Sequence, residues 1–433
     1  LSVDERKTLY TTLRNLIPLQ AITIRLNFIK IPITDETQLA GASFKTLLRV
    51  INKEESFGQH PPKGYEDNNP NNSSSSYNGE PMSPASLITT LQPEKTLMFQ
   101  EAASASEVIA KQQTLNQNRI KEAVARLKIF APTAIVTCAR GSSDHAATYA
   151  KYLFETQLGL VTASAAPSIT SVYLAQPKLN GMLYVAISQS GKSPDLLASV
   201  TQAKAAGALT LAFVNIEDSP LAQLVDIVIP LHAGVEKSVA ATKSYLATLG
   251  TVLHLVSVWS DNVELKQAVA DLPAALAQAW KKDWAHAVEV LKTANNLFVI
   301  GRGVGFGTAQ EAALKLKETC GLHAEAFSAA EVKHGPMAIV KENFPVLLFT
   351  QQDQAFSGMD SLIQDFRARN ATMLIASENM NDDDCLPVVT NVPSIIAPLL
   401  AVQSFYRMAN ALAIARGYNP DEPPHLRKVT ETV

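Results

Sequence analysis

At 433 residues, 47% of them hydrophobic, the chain is long enough for two or three domains with sizeable cores. Its 37 basic and 40 acidic side chains leave a formal charge of −3, so there is no electrostatic case for nucleic acid or an anionic membrane as partner. Cys138, Cys320 and Cys385 are odd in number and unclustered, which argues against a disulfide framework or a cysteine metal site and fits a reducing, cytoplasmic compartment.

Residues 1–97 read as an N-terminal extension without sustained period, in which 54–93 is a polar, linker-like Pro/Asn/Ser/Gly tract. Ten basic and ten acidic residues there cancel, which argues against a DNA-binding head. No secretion signal is evident, although the chain starts at Leu1. From Met98 the texture becomes alternating strands and amphipathic helices. A helix over 101–128 precedes strands at 134–138, 183–187, 209–214 and an edge strand at 227–230, with helices at 146–155, 194–206 and 240–259. The apolar run 245–260 contains His254 and is shorter than the ~18 residues of a membrane span, so it reads as a buried helix.

The pattern then recurs. Arg302-Gly303 follows a strand as Arg140-Gly141 does, Gln351-Gln352 ends a strand as Ser188-Gln189 does, and Asn370 stands where Gly207 stood. Near-constant offsets of this kind mark a duplicated domain. The expected architecture is two α/β domains, each a doubly wound, mainly parallel sheet flanked by helices: 98–261 and 293–418, joined by helices at 262–292.

Ligands of such sheets bind beyond the carboxyl ends of the strands. The turn Ser188-Gln189-Ser190-Gly191-Lys192-Ser193 leads into a helix with Ser193 placed as N-cap and Pro194 at the first helical position. Its serines serve either as local caps or as a cradle for a tetrahedral anion at the helix N-terminus, with Ser143 adding a hydroxyl from the neighbouring strand end. Gly301–Gly307 fails as a dinucleotide fingerprint because Phe306 occupies a required glycine position. The histidines are scattered without metal-ligand spacing, so neither metal nor cofactor is expected. On the helix expected from about Thr308, Glu311, Lys315 and Glu318 share one face. That spacing suits either a solvated salt-bridge ladder or, with His334 nearby in sequence, proton-transfer chemistry.

Five strings in order, ISQSGKS (187–193), EKSVAATKSY (236–245), EAALKLKE (311–318), HAEAFSAAEVKHGP (323–336) and LRKVTETV (426–433), resemble the double sugar-isomerase (SIS) domain family. Within it the chain is similar to the isomerase half of glutamine–fructose-6-phosphate aminotransferases and to SIS-type glucosamine-6-phosphate deaminases. ARGSSDHAATYAKY (139–152) and ISQSGKSPDL (187–196) tilt toward the deaminases. The resemblance implies that Ser143, Ser188, Gln189, Ser190 and Ser193 cradle a sugar phosphate, and that Glu236 and Val239 hold the sugar's head. Glu318 would shuttle a proton between the first two sugar carbons, with Lys315 and Glu311 on the same helix, Glu311 either acting directly or positioning Lys315. His334 would open the ring from a partner subunit, which implies a homodimer with shared sites. Lys428, on a catalytic tail at 419–433, would handle the open-chain carbonyl; Pro424 and His425 replace an arginine frequent in relatives. No cysteine precedes Cys138 to act as a glutaminase nucleophile, so the expected reaction is deamination of glucosamine 6-phosphate to fructose 6-phosphate and ammonia. The alternatives are galactosamine-6-phosphate deamination, another phosphosugar isomerisation, and non-catalytic sugar-phosphate sensing.

Overall fold

The computed structural model describes residues 91–378 and 383–428. The extension up to residue 90, with most of its linker-like tract, and the tail beyond Lys428 lie outside the described residues.

The first helix expected, 101–128, is two helices, α1 (Leu97–Ala103) and α2 (Ala105–Phe130). Thr96 caps α1 by accepting from the Phe99 N–H, and the break falls at Ser104, whose hydroxyl bonds the Glu101 carbonyl in competition with the helix ladder. There follow β1 (Ile135–Cys138), α3 (Ser142–Leu158), β2 (Thr162–Ser164), α4 (Pro167–Ser171), β3 (Leu183–Ser188), α5 (Pro194–Ala205), β4 (Leu209–Val214), α6 (Pro220–Leu224), β5 (Ile227–Pro230) and α7 (Lys243–Trp259). The strands pair in parallel in the order β2-β1-β3-β4-β5. β3 and β4 are buried along their whole length, which is why both read as unbroken apolar runs. Helix α7 starts at Lys243, not at 240, because Glu236 folds back and accepts the N–H groups of Thr242 and Ser244, turning 236–242 into a loop. His254 within α7 is half-buried, and the desolvation lowers its pKa to about 4.

Helices α8 (Val263–Ala279) and α9 (Ala285–Leu291) lead to β6 (Asn296–Gly301), α10 (Phe306–Cys320), β7 (His323–Ser328), β8 (Pro345–Phe349), α11 (Phe356–Arg367), β9 (Thr372–Ala376), β10 (Cys385–Leu386) and α12 (Ala397–Ala415). The second sheet is also parallel, in the order β10-β9-β8-β6-β7, so both copies have the flavodoxin-type 2-1-3-4-5 arrangement. The matched turns agree in backbone conformation: Gly141 and Gly303 have φ of 55° and 58°, and Gly207 and Asn370 have 84° and 54°. Asparagine holds that left-handed position in the second copy because it tolerates positive φ better than most side chains. Leu153 of α3, Leu249 of α7, Leu316 of α10 and Phe405 of α12 belong to one central core shared by both copies, while smaller clusters cover the far face of each sheet. Among the described residues no helix is long and apolar enough to cross a membrane.

One glycine is sterically fixed at the proposed anion turn. Gly191 has φ of 63°, and a Cβ there would lie 2.3 Å from Ser219 Oγ. Gly191→Ala is expected to cost about 2 kcal/mol, measured as a lower urea midpoint at unchanged m.

Candidate active site

Strands β1 and β3 are neighbours at the point where the chain switches direction across the first sheet, and the turns leaving them face one cavity of about 320 Å3. Ser188 Oγ accepts the Gly191 N–H at 2.9 Å and shapes the turn. Ser193 stands at the N-cap of α5 with Pro194 next, but its side chain makes no capping bond, which leaves the hydroxyl available to the cavity. Ser143, Gln189 and Ser190 line the same cavity, from the start of α3 and the turn after β3. Two helix N-termini therefore border it.

The opposite wall is α10. Lys315 and Glu318 line the cavity and are joined by a hydrogen bond from Lys315 Nζ to Glu318 Oε2. This is no solvated ladder: the side chains of Lys315 and Glu311 are 1% and 0% exposed, whereas Glu318 is 23% exposed. Glu311 lies behind the wall, outside the cavity lining. Its Oε1 accepts from Ser142 Oγ at 3.1 Å and Tyr406 OH at 3.0 Å, with Lys315 Nζ at 3.5 Å, and its Oε2 lies 3.1 Å from His145 Nδ1. Burial opposes the Lys315 charge, but the Glu311 and Glu318 carboxylates outweigh it and its pKa is raised, so the ammonium is retained.

The loop after β5 and the C-terminal tail border the cavity mouth. Val239, Leu426, Arg427 and Lys428 line it, while Glu236 is buried beneath. Lys428 Nζ donates to Glu236 Oε2 at 3.2 Å and to the Ser238 carbonyl at 2.7 Å. The tail is anchored further back: Asp421 accepts the N–H groups of Leu97 and Met98 at 2.8 and 2.7 Å, and its carbonyl accepts the Val239 N–H. Glu101 takes the N–H groups of Lys237 and Ser238 from below.

Burial pushes Glu236 upward, but Lys428 and the hydrogen bonds from Ser244 and Thr242 prevail and its pKa falls below the ordinary 4.5. A carboxylate depressed on folding contributes stability above its unfolded pKa and loses it as pH falls through the folded value. The gap in thermal midpoint between the unaltered chain and Glu236→Gln is therefore expected to be full at neutral pH and to shrink on acidification below 4.5.

Of the residues singled out in the sequence, Ser143, Ser188, Gln189, Ser190, Ser193, Val239, Lys315, Glu318 and Lys428 meet at the cavity. Glu236 and Glu311 support it from behind, and His334 is exposed and does not line it. Sequence reasoning missed Arg140, Arg427, His145, Tyr406, Glu101 and Asp421; of these only Arg140 lies in a turn already noticed. In the second copy Gln351 fills the matching crevice: its Nε2 bonds the Arg302 carbonyl at 2.8 Å and Asp353 at 3.1 Å, and a Cβ on Gly305 would lie 2.7 Å from its Oε1.

The SIS domain family matches residues 128–258 and again 290–384, and the chain belongs to this family, carrying its domain twice. Glutamine–fructose-6-phosphate aminotransferase [isomerizing] of Thermococcus kodakarensis is 34% identical over 309 residues, covering 68% of this chain and 51% of its own. The chain thus spans about half the length of that relative. A Silicibacter pomeroyi DSS-3 protein assigned to the phosphosugar isomerases is 39% identical in sequence, with a TM-score of 0.72 over 75% of this chain and 100% of its own. The C-terminal domain of glucosamine-fructose-6-phosphate aminotransferase from Francisella tularensis gives 25% identity and a TM-score of 0.66, over 76% of this chain and 98% of its own.

Proposed function

We propose that this cavity converts glucosamine 6-phosphate to fructose 6-phosphate and ammonia. The observation that carries this reading is that Glu318, tied to Lys315, and the serine turn at 188–193 line one cavity of about 320 Å3. Such a volume lies in the range of small-ligand sites. Arg140, Lys315, Arg427 and Lys428 line it against the one carboxylate of Glu318, a balance that suits a phosphate dianion.

The serine hydroxyls and helix N-termini hold the phosphate, and Glu236 and Val239 fix the mouth around the sugar's head. In the open-chain sugar, Glu318 takes the proton from C2 and returns it to C1. The Lys315 ammonium offsets the negative charge that develops on O1, and Lys428 engages the carbonyl as the mouth closes. The resulting C2 imine adds water, the C–N bond breaks, and ammonia leaves as the ketone forms. His334 is exposed and away from its own chain's cavity, which supports a role in opening the ring bound by a neighbouring copy.

The test is ammonia release from glucosamine 6-phosphate beside galactosamine 6-phosphate, with fructose 6-phosphate plus ammonia as the reverse assay. Glucosamine 6-phosphate is expected to be the best substrate; no ammonia from either amino sugar overturns the reading. For the shared site, inactive Glu318→Gln and His334→Ala chains are expected to regain activity when mixed and allowed to exchange. Continued inactivity with exchange verified overturns ring opening by the neighbour.

A further inference from the structure

Arg140 stands on the turn between β1 and α3, where it lines the cavity. Its Nε and Nη2 both donate to Asp195 Oδ2, at 2.9 and 2.7 Å. Asp195 is the second residue of α5, directly behind the serine turn. The Asp195 side chain is fully buried, whereas that of Arg140 is 51% exposed. The pair therefore ties together the two turns that flank the switch point. It also fixes the orientation of a planar, permanently charged group at the cavity's edge, where the remaining guanidinium donors are open to a ligand.

The second copy shows what the aspartate does. There Arg302 matches Arg140, and Gly358, at the same offset that relates Asn370 to Gly207, stands where Asp195 would be. With no side chain at that position, Arg302 lies over the helix: a Cβ on Gly358 would be 2.2 Å from Arg302 Nη1. Asp195 excludes that pose in the first copy and holds the arginine toward the cavity. The filled crevice and the collapsed arginine occur together in one copy, the open crevice and the anchored arginine in the other.

We propose that Arg140, aimed by Asp195, is a specificity-determining residue that binds the substrate's phosphate and sets the preference for phosphorylated over unphosphorylated sugars. This rests on the sugar-phosphate reading above, but it adds a charged, bidentate-capable partner to a cradle otherwise built of hydroxyls, an amide and backbone N–H groups.

The experiment measures the Kd of sorbitol 6-phosphate, which has no carbonyl to isomerise, and of sorbitol, using the full chain. Because Arg140→Gln alone takes the guanidinium away from the buried Asp195 carboxylate, the decisive variant is Arg140→Gln with Asp195→Asn. It is expected to bind sorbitol 6-phosphate about 10- to 100-fold more weakly, to bind sorbitol as before, and to show a shallower salt dependence. Arg140→Lys, which keeps the charge without the fork, is expected to fall between. Unweakened binding of sorbitol 6-phosphate by the folded double variant overturns this inference alone. Failure of the unaltered chain to prefer sorbitol 6-phosphate over sorbitol overturns the sugar-phosphate reading and this inference with it.

Discussion

Glu318→Gln is expected to lower the rate of ammonia release from glucosamine 6-phosphate by about 10²- to 10⁴-fold, with the thermal midpoint and the Kd for sorbitol 6-phosphate nearly unchanged. The side chain is partly open to the cavity and its Oε2 accepts from Lys315 Nζ. Glutamine keeps that shape and an acceptor for the ammonium, but it has no carboxylate to carry a proton from one carbon to the next. The effect therefore falls on kcat, as expected of an interaction used only in the transition state. A drop in kcat below tenfold would remove Glu318 from the proton transfer, and weakened binding with kcat preserved would make it a positioning group.

Glu311→Ala is expected to destabilise the chain by about 3–5 kcal/mol, read from urea unfolding. Its carboxylate is fully buried and gathers Ser142, His145, Tyr406 and Lys315, so truncation strands several polar groups and leaves the buried ammonium with Glu318 as its remaining carboxylate partner within 4 Å. Glu311→Gln, which retains one carbonyl acceptor for those donors, is expected to lose less stability. The two predictions separate the residues that one helix face made look alike: Glu318 variants lose rate, Glu311 variants lose fold. A Glu311→Ala chain within 1 kcal/mol of the parent would show that the network contributes little.

The sequence displayed most of the frame because the frame is periodic. Continuous apolar runs marked β3, β4 and β8, and the recurrence of Arg-Gly turns marked the duplication. What escaped was short or polar. Strands β2, β7 and β10 lie toward the sheet edges, and β7, His323–Ser328, alternates polar residues that read as a loop. The break at Ser104 turns on one hydroxyl. At the site, Glu318 and the serine turn were legible because several informative residues cluster within a few positions. The Glu311 network was not, since Ser142 and Tyr406 reach it from 169 and 95 residues away and such single contacts leave no local pattern. The depth of Glu311 itself was equally hidden, because i, i+4 and i+7 spacing defines a face without saying whether that face meets water.

The anchoring of α1 by Asp421 has a consequence for the order of the chain. The first helix described and the final described stretch are hydrogen-bonded neighbours, so the two-copy body closes into a ring at that point. What the cavity requires is the adjacency of the copies, not which is translated first. A circular permutant opened at exposed Lys281, between α8 and α9, with a short linker from the tail back to the segment before α1, retains every contact described around the cavity.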